Sequence, residues 1–190
     1  AMVIREACVG SYREALQAAA AGADRIELCD NLAQGGTTPG PGTLKMTRSA
    51  LALPIHVIIR PRGGDFLYSP IEVRTMLKDI EMAKQLKADG VVFGCLTAEG
   101  EIDLTIMQEL MKAAQGLSVT FHRAFDVCRD PKKALEQIIA LGCNRILTSG
   151  QQPTAESGIP LLKELQEQAA GRIILLAGCG VNEKNIHRIA

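Results

Sequence analysis

Residues 3–29 read VIREACVGSYREALQAAAAGADRIELC. The stretch opens on a short β-branched run ending in Glu6 and Cys8 and closes on another ending in Glu27 and Cys29. VIREAC (3–8) predicts a strand. SYREALQAAAAG (11–22) predicts a helix, with Ser11 as N-cap, Glu14 placed for a capping box and Gly22 as the C-terminal glycine. RIELC (25–29) predicts a second strand. A strand, one helix and a second strand within 27 residues is a crossover unit, which makes the two strands parallel.

The unit repeats along the chain. Strands are predicted at 54–60, 90–96, 118–125, 145–149 and 172–178. Helices are predicted at roughly 42–51, 70–87, 103–115, 130–141 and 156–170, with another beginning near 182. Pro131 suits the first position of the fifth helix. Seven such units leave two parallel architectures. A doubly wound sheet usually carries a glycine fingerprint after its first strand, and CVGSY lacks one. A TIM-type (β/α) barrel gathers polar residues at the C-terminal ends of its strands, where Glu6, Cys8, Glu27, Cys29, Arg60, Arg62, Cys95, His122, Arg123, Ser149 and Cys179 all fall. The expected fold class is therefore α/β, a TIM-type barrel. A full barrel has eight units and about 250 residues. The expectation is one barrel domain over 1–190, lacking the eighth βα unit, incomplete at its C-terminus and self-associating as a homodimer or higher homo-oligomer to protect open strand edges.

Composition narrows the function. Of 190 residues, 21 are Lys or Arg and 21 are Asp or Glu, so the formal charge is zero. That balance argues against nucleic-acid or membrane-surface partners, which favour a basic face. No apolar run is long enough to span a bilayer, and no secretory signal is evident. The six cysteines form no CxxC, so reduced thiols in a cytoplasmic protein are expected.

Parity places Glu27 and Cys29 on one face of the second strand, opposite Ile26 and Leu28, and Glu6 and Cys8 on the same face of the first. Ile26 and Leu28 must meet the helices, so both thiols are expected inside the barrel, on strands whose backbones lie roughly 4.8 Å apart. Two thiolates without a third evident ligand suit a soft, low-coordinate cation, of which Cu(I) is the physiological candidate. Zinc would call for four tetrahedral ligands. The competing reading is that both thiols are small buried hydrophobes.

A second set carries acid/base and anion-binding chemistry. Arg60 shares the parity of His56 and Ile58, and His122 that of Thr120, so both are expected to point inward. Glu27 and His122 in acid/base roles, with Arg60 as anchor, suit an enzyme acting on a small phosphorylated or carboxylated metabolite. Glu6, Arg62, Asp65, Arg123 and Ser149 are further binding candidates. Gly178 and Gly180, in AGCGVN after the seventh strand, fall where barrels often bind phosphate. The same charges can instead neutralise one another as structural ion pairs.

RIELCDNLAQGGTTPGPG, IRPRGGDFLYS and VTFHRAFDVCRDPKKALEQIIALGCNRILTSGQ resemble segments of the copper homeostasis protein CutC family, over essentially the whole chain. GCGVNEKN resembles that family's glycine-rich segment after the seventh strand, with Cys179 where glycine is usual. The resemblance implies a cytoplasmic, commonly oligomeric TIM barrel that continues into an eighth strand and is linked to copper. It also implies Cys8 and Cys29 as the copper ligands.

Overall fold

The structure is a computed structural model that describes residues 3–178 and 189. In chain order the elements are β1 (Glu6–Val9), α1 (Tyr12–Ala20), β2 (Arg25–Leu28), α2 (Pro41–Ala50), β3 (Ile55–Ile58), α3 (Pro70–Gln85), β4 (Gly90–Phe93), α4 (Leu104–Ala113), β5 (Ser118–Phe121), α5 (Pro131–Leu141), β6 (Arg145–Thr148), α6 (Ile159–Ala169) and β7 (Ile174–Ala177). Short 3-10 turns at Leu32–Gln34 and Arg123–Val127 follow β2 and β5. The strands follow one another in chain order, β1 to β7. Parallel pairing with helical crossovers makes this a TIM-type (β/α) fold, with seven strands among the described residues. The helix expected near 182 lies outside the described residues. No helix among the described residues is long and apolar enough to cross a membrane.

Two compact units are distinguishable: the chain up to Phe93 with Lys112–Ser118, and Gly94–Met111 with the chain from Val119 onward. In the first, β2, β3 and β4 are buried at every position. Strands covered on both faces read as continuous apolar runs, so alternation says less about facing there than in a half-exposed strand. Ile26, Leu28, Ile55, Ile59, Met76 and Ile80 are fully buried in this unit. Each such side chain contributes roughly 1.5–3 kcal/mol by leaving water. In the second unit Phe121, Phe125, Met107, Leu110 and Leu135 do the same.

The helix signals act as the sequence suggests, with one change. Ser11 caps α1 by accepting from Glu14 N at 3.1 Å. The Glu14 carboxylate reaches back to Gly10 N at 2.6 Å, one residue before the cap. Gly22 takes φ +94, a left-handed conformation that glycine adopts without a Cβ clash.

The expected strand over 118–125 is shorter. It ends at Phe121, and residues 123–127 coil into the 3-10 turn. The cause is local: His122 Nδ1 accepts from Ala124 N at 3.1 Å and caps the turn.

Candidate functional site

β1 and β2 meet in a staggered register. Glu6 stands opposite Arg25, and Cys8 opposite Glu27. The two Glu-x-Cys segments are thus offset by two residues rather than abreast. Stagger between neighbouring strands is inherent to barrel-type sheets. It gives each glutamate a different neighbour. Glu6 forms an ion pair with Arg25, both side chains almost buried. Glu27 faces Cys8 on one side and His56 on the other.

The ladder runs one residue past β2, with Cys29 N donating to Val9 O at 2.8 Å. Cys29 therefore keeps the parity of Glu27, and its sulfur comes within 3.5 Å of the Cys8 sulfur from the diagonal. One ligand atom from each of Cys8, Glu27 and Cys29 lies within 4.8 Å of the others. It is the one such group of three His, Cys, Asp or Glu side chains among the described residues.

The two thiols differ. Cys29 is buried, as parity suggests, whereas Cys8 is exposed. Cys8 shares a face with Cys29, since the two sulfurs meet, but it is open to solvent. Among the described residues β1 pairs with β2 alone, so its side chains are covered from one flank only. The hydrogen bond with Cys29 holds the Cys8 thiol below its usual range, against the opposing effects of burial and the Glu6 and Glu14 charges. The same contact raises Cys29, and burial and the Glu27 charge push it further. Burial raises the Glu27 carboxyl well above the ordinary carboxylate range, and the Cys8 and Glu6 charges add to this against the pull of Arg25. Elsewhere burial raises the Cys95 thiol, lifts Cys128 to about 11 and Cys143 to about 12. Among the described cysteines Cys8 alone is shifted toward thiolate.

Arg60 lies in the same unit and is 6% exposed. Its Nη1 donates to Gln34 O at 2.7 Å and Gly36 O at 3.0 Å, and its Nη2 to Gly64 O at 2.8 Å. The guanidinium carbon stands 5.0 Å from the centre of the Phe66 ring. Arg62 pairs with Glu72 at 2.6 Å and with the exposed Asp65 at 3.1 Å. It also lies over Tyr68. Both arginines organise loops in the structure.

In the second unit His122 is buried, and its Nδ1 is an acceptor. Because a backbone N–H can only donate, Nδ1 carries no proton in this arrangement. Gly94 makes room for the ring: a β-carbon there would stand 2.9 Å from the imidazole. Arg123 and Ser149 come together on Asp126. Arg123 Nε donates to Asp126 at 2.7 Å and Nη2 to Ser149 Oγ at 3.0 Å. Asp126 also accepts from the Thr148 hydroxyl at 2.5 Å, and from Ser149 N and Gln151 N at 3.1 Å.

Gly178 is buried, and its N–H donates to Thr148 O at 3.0 Å. Gly180 lies outside the described residues.

Asp126 and Arg25 were not among the residues singled out from sequence. Arg25 is visible only once the stagger is known. Asp126 had one signal, a carboxylate three residues after Arg123, but in an expected strand and its loop that spacing does not make a contact.

A profile of the CutC family matches residues 3–190. A CutC family protein of Bacteroides thetaiotaomicron is 76% identical over 186 residues, covering 97% of this chain and 75% of the relative. The human copper homeostasis protein cutC homolog is 50% identical over 186 residues, covering 98% of this chain and 68% of its own. The crystal structure of CutC from Streptococcus agalactiae superposes with a TM-score of 0.95 at 40% identity, covering 99% of this chain and 93% of that one. With a family profile spanning nearly its whole length and relatives this similar, the chain belongs to the CutC family.

Proposed function

We propose that this protein serves copper homeostasis as a cytoplasmic Cu(I) carrier, holding the ion between the Cys8 and Cys29 thiolates. The observation that supports this most directly is the 3.5 Å sulfur–sulfur approach on adjacent strands. Soft thiolates select Cu(I) over hard divalent ions. Burial keeps the Glu27 carboxyl protonated more readily than usual, so the third donor is a weak one and the two sulfurs dominate. That arrangement favours a low-coordinate monovalent ion over zinc, which is held by four ligands in structural sites. The name of the human relative supports the same reading.

A metabolite enzyme built on Glu27, Arg60 and His122 has less support. Its anchor needs guanidinium N–H groups turned to the ligand, and three of the five on Arg60 are engaged by backbone carbonyls.

The test is an anaerobic Cu(I) competition titration against a colorimetric chelator. The wild-type chain is expected to take up one ion, and the Cys8→Ser, Cys29→Ser double variant to lose that uptake. Equal affinity in the two proteins overturns the proposal. Because thiol protons leave as the metal binds, affinity is expected to rise with pH.

A further inference from the structure

Cys8 and Cys29 end adjacent strands, yet one is exposed and the other is 1% exposed. The cover over Cys29 is the turn that follows β2. Asp30 and Thr37 close its base as an antiparallel bridge, with Asp30 N donating to Thr37 O at 2.9 Å and Thr37 N to Asp30 O at 2.7 Å. Gly36, at φ +94, lies so near that a β-carbon there would stand 3.2 Å from the Cys29 sulfur.

Apolar packing holds this turn only lightly, through Leu32 against Gly10 and Gly36 beside Ile58. No residue of Leu32–Gln34 is buried, and Leu32 is 40% exposed. Three of its residues, Asn31, Gly35 and Gly36, have positive φ. A turn with so few buried contacts opens readily unless polar groups tie it down.

The tie is Arg60. One nitrogen of its guanidinium bridges Gln34 O and Gly36 O, and another grips Gly64 O in the following loop. The backbone at Arg60 is fastened to the same turn, with Arg60 N donating to Thr38 Oγ1 at 2.8 Å and Thr38 N to Arg60 O at 3.0 Å. Among the described residues no carboxylate pairs with this buried cation. Its side-chain hydrogen bonds go to backbone carbonyls, two of them in the cover.

We propose that Arg60 is a positioning residue for the thiol pair: its forked grip on the carbonyls of Gln34 and Gly36 holds the 31–37 turn down on Cys29, so that one sulfur is open and the other covered. The consequence for metal exchange rests on the Cu(I) reading, but the cover itself does not. A lysine cannot replace the grip, because it carries a point charge on a flexible stem and no planar fork.

The experiment is copper-free alkylation of the full native chain with N-ethylmaleimide, read cysteine by cysteine by peptide mass spectrometry. Arg60→Lys is expected to speed labelling of Cys29 by about tenfold, as loss of charge-assisted hydrogen bonds makes opening more frequent. Labelling of Cys95 and Cys143, buried in the other unit, is expected to stay unchanged. Phe66→Leu removes only the ring beneath the guanidinium and is expected to give a smaller rise at Cys29 alone. It keeps the test decisive where Arg60→Lys does not fold. An unchanged Cys29 rate overturns the proposal, and so does a parallel rise at Cys29, Cys95 and Cys143, which marks a general loss of stability. Failure here leaves the Cu(I) titration untouched, and failure of that titration leaves the cover standing.

Discussion

The Cys8 and Cys29 sulfurs share a hydrogen bond across 3.5 Å, and the contact drives their proton affinities in opposite directions, lowering that of Cys8 and raising that of Cys29. Cys8 is the exposed member, so the sulfur that meets solvent is also the one that ionises first. Alkylation of Cys8 is therefore expected to reach half its maximal rate below pH 9.0, the ordinary thiol value. Cys29→Ala removes the hydrogen-bond partner, and the midpoint for Cys8 is expected to move up. A pH series of labelling rates, read by mass spectrometry, checks both.

Glu27 gives a stability signature of opposite sense to the usual carboxylate. Burial raises its folded pKa above the ordinary 4.5. Between the unfolded and folded values the native state binds more protons than the unfolded state, so stability falls as pH rises through that window. The contribution is fully present below about pH 4.5 and lost above the folded pKa. Glu27→Gln keeps the shape without the charge. It is expected to be more stable than wild type at pH 7, with the gap closing toward pH 4.5. Urea unfolding at several pH values measures it.

Asp126 holds together the turn after β5 and the loop after β6. Its side chain is 7% exposed, against 39% for its partner Arg123. Asp126→Ala strands the Thr148 hydroxyl and two backbone N–H groups, for an expected loss of about 2–4 kcal/mol. Arg123→Ala breaks a partly solvated pair and is expected to cost under about 1 kcal/mol. Denaturant midpoints for the two variants separate the roles.

Two glycines should respond in opposite directions. At Gly94 an added β-carbon meets the His122 ring at 2.9 Å and Phe121 at 3.1 Å. Gly94→Ala is expected to cost about 1–3 kcal/mol by overpacking. At Gly42, inside α2, nothing lies within 4 Å of such a carbon. Gly42→Ala is expected to add about 0.5–1 kcal/mol through reduced chain entropy. Melting temperatures of the pair give the comparison.

The architecture was legible because each element is written locally. Ser11 and Gly22 mark the ends of α1, Asp130 and Pro131 open α5, and short apolar runs stand for strands covered on both faces. The sulfur pair was legible for the same reason: parity needs only the strand on which Glu27 and Cys29 sit. What was not legible depends on how strands slide past one another and on where loops return. Nothing within RIELC says that Arg25 meets Glu6. Nothing in IRPRGG says that Arg60 closes on the turn after the preceding strand. Asp126 belonged to this second kind. Its partners Thr148, Ser149 and Gln151 come from the end of β6 and the loop after it, more than twenty residues away, and they meet it only because β5 and β6 are neighbours.

The two-residue offset between β1 and β2 also means that the site is written in phase as well as in composition. With the two Glu-x-Cys segments side by side, the glutamates would stand against each other and the sulfurs would share one rung. As built, one glutamate is neutralised by an arginine, and the sulfurs approach along a diagonal. A slip of β2 by one residue along β1 would turn Cys29 toward the helices, and a slip of two would keep every side chain on its own face and still exchange all the partners. A search for this kind of centre in other chains should therefore look for the pair of motifs at shifted registers, because spacing along the chain does not reveal which rung each half occupies.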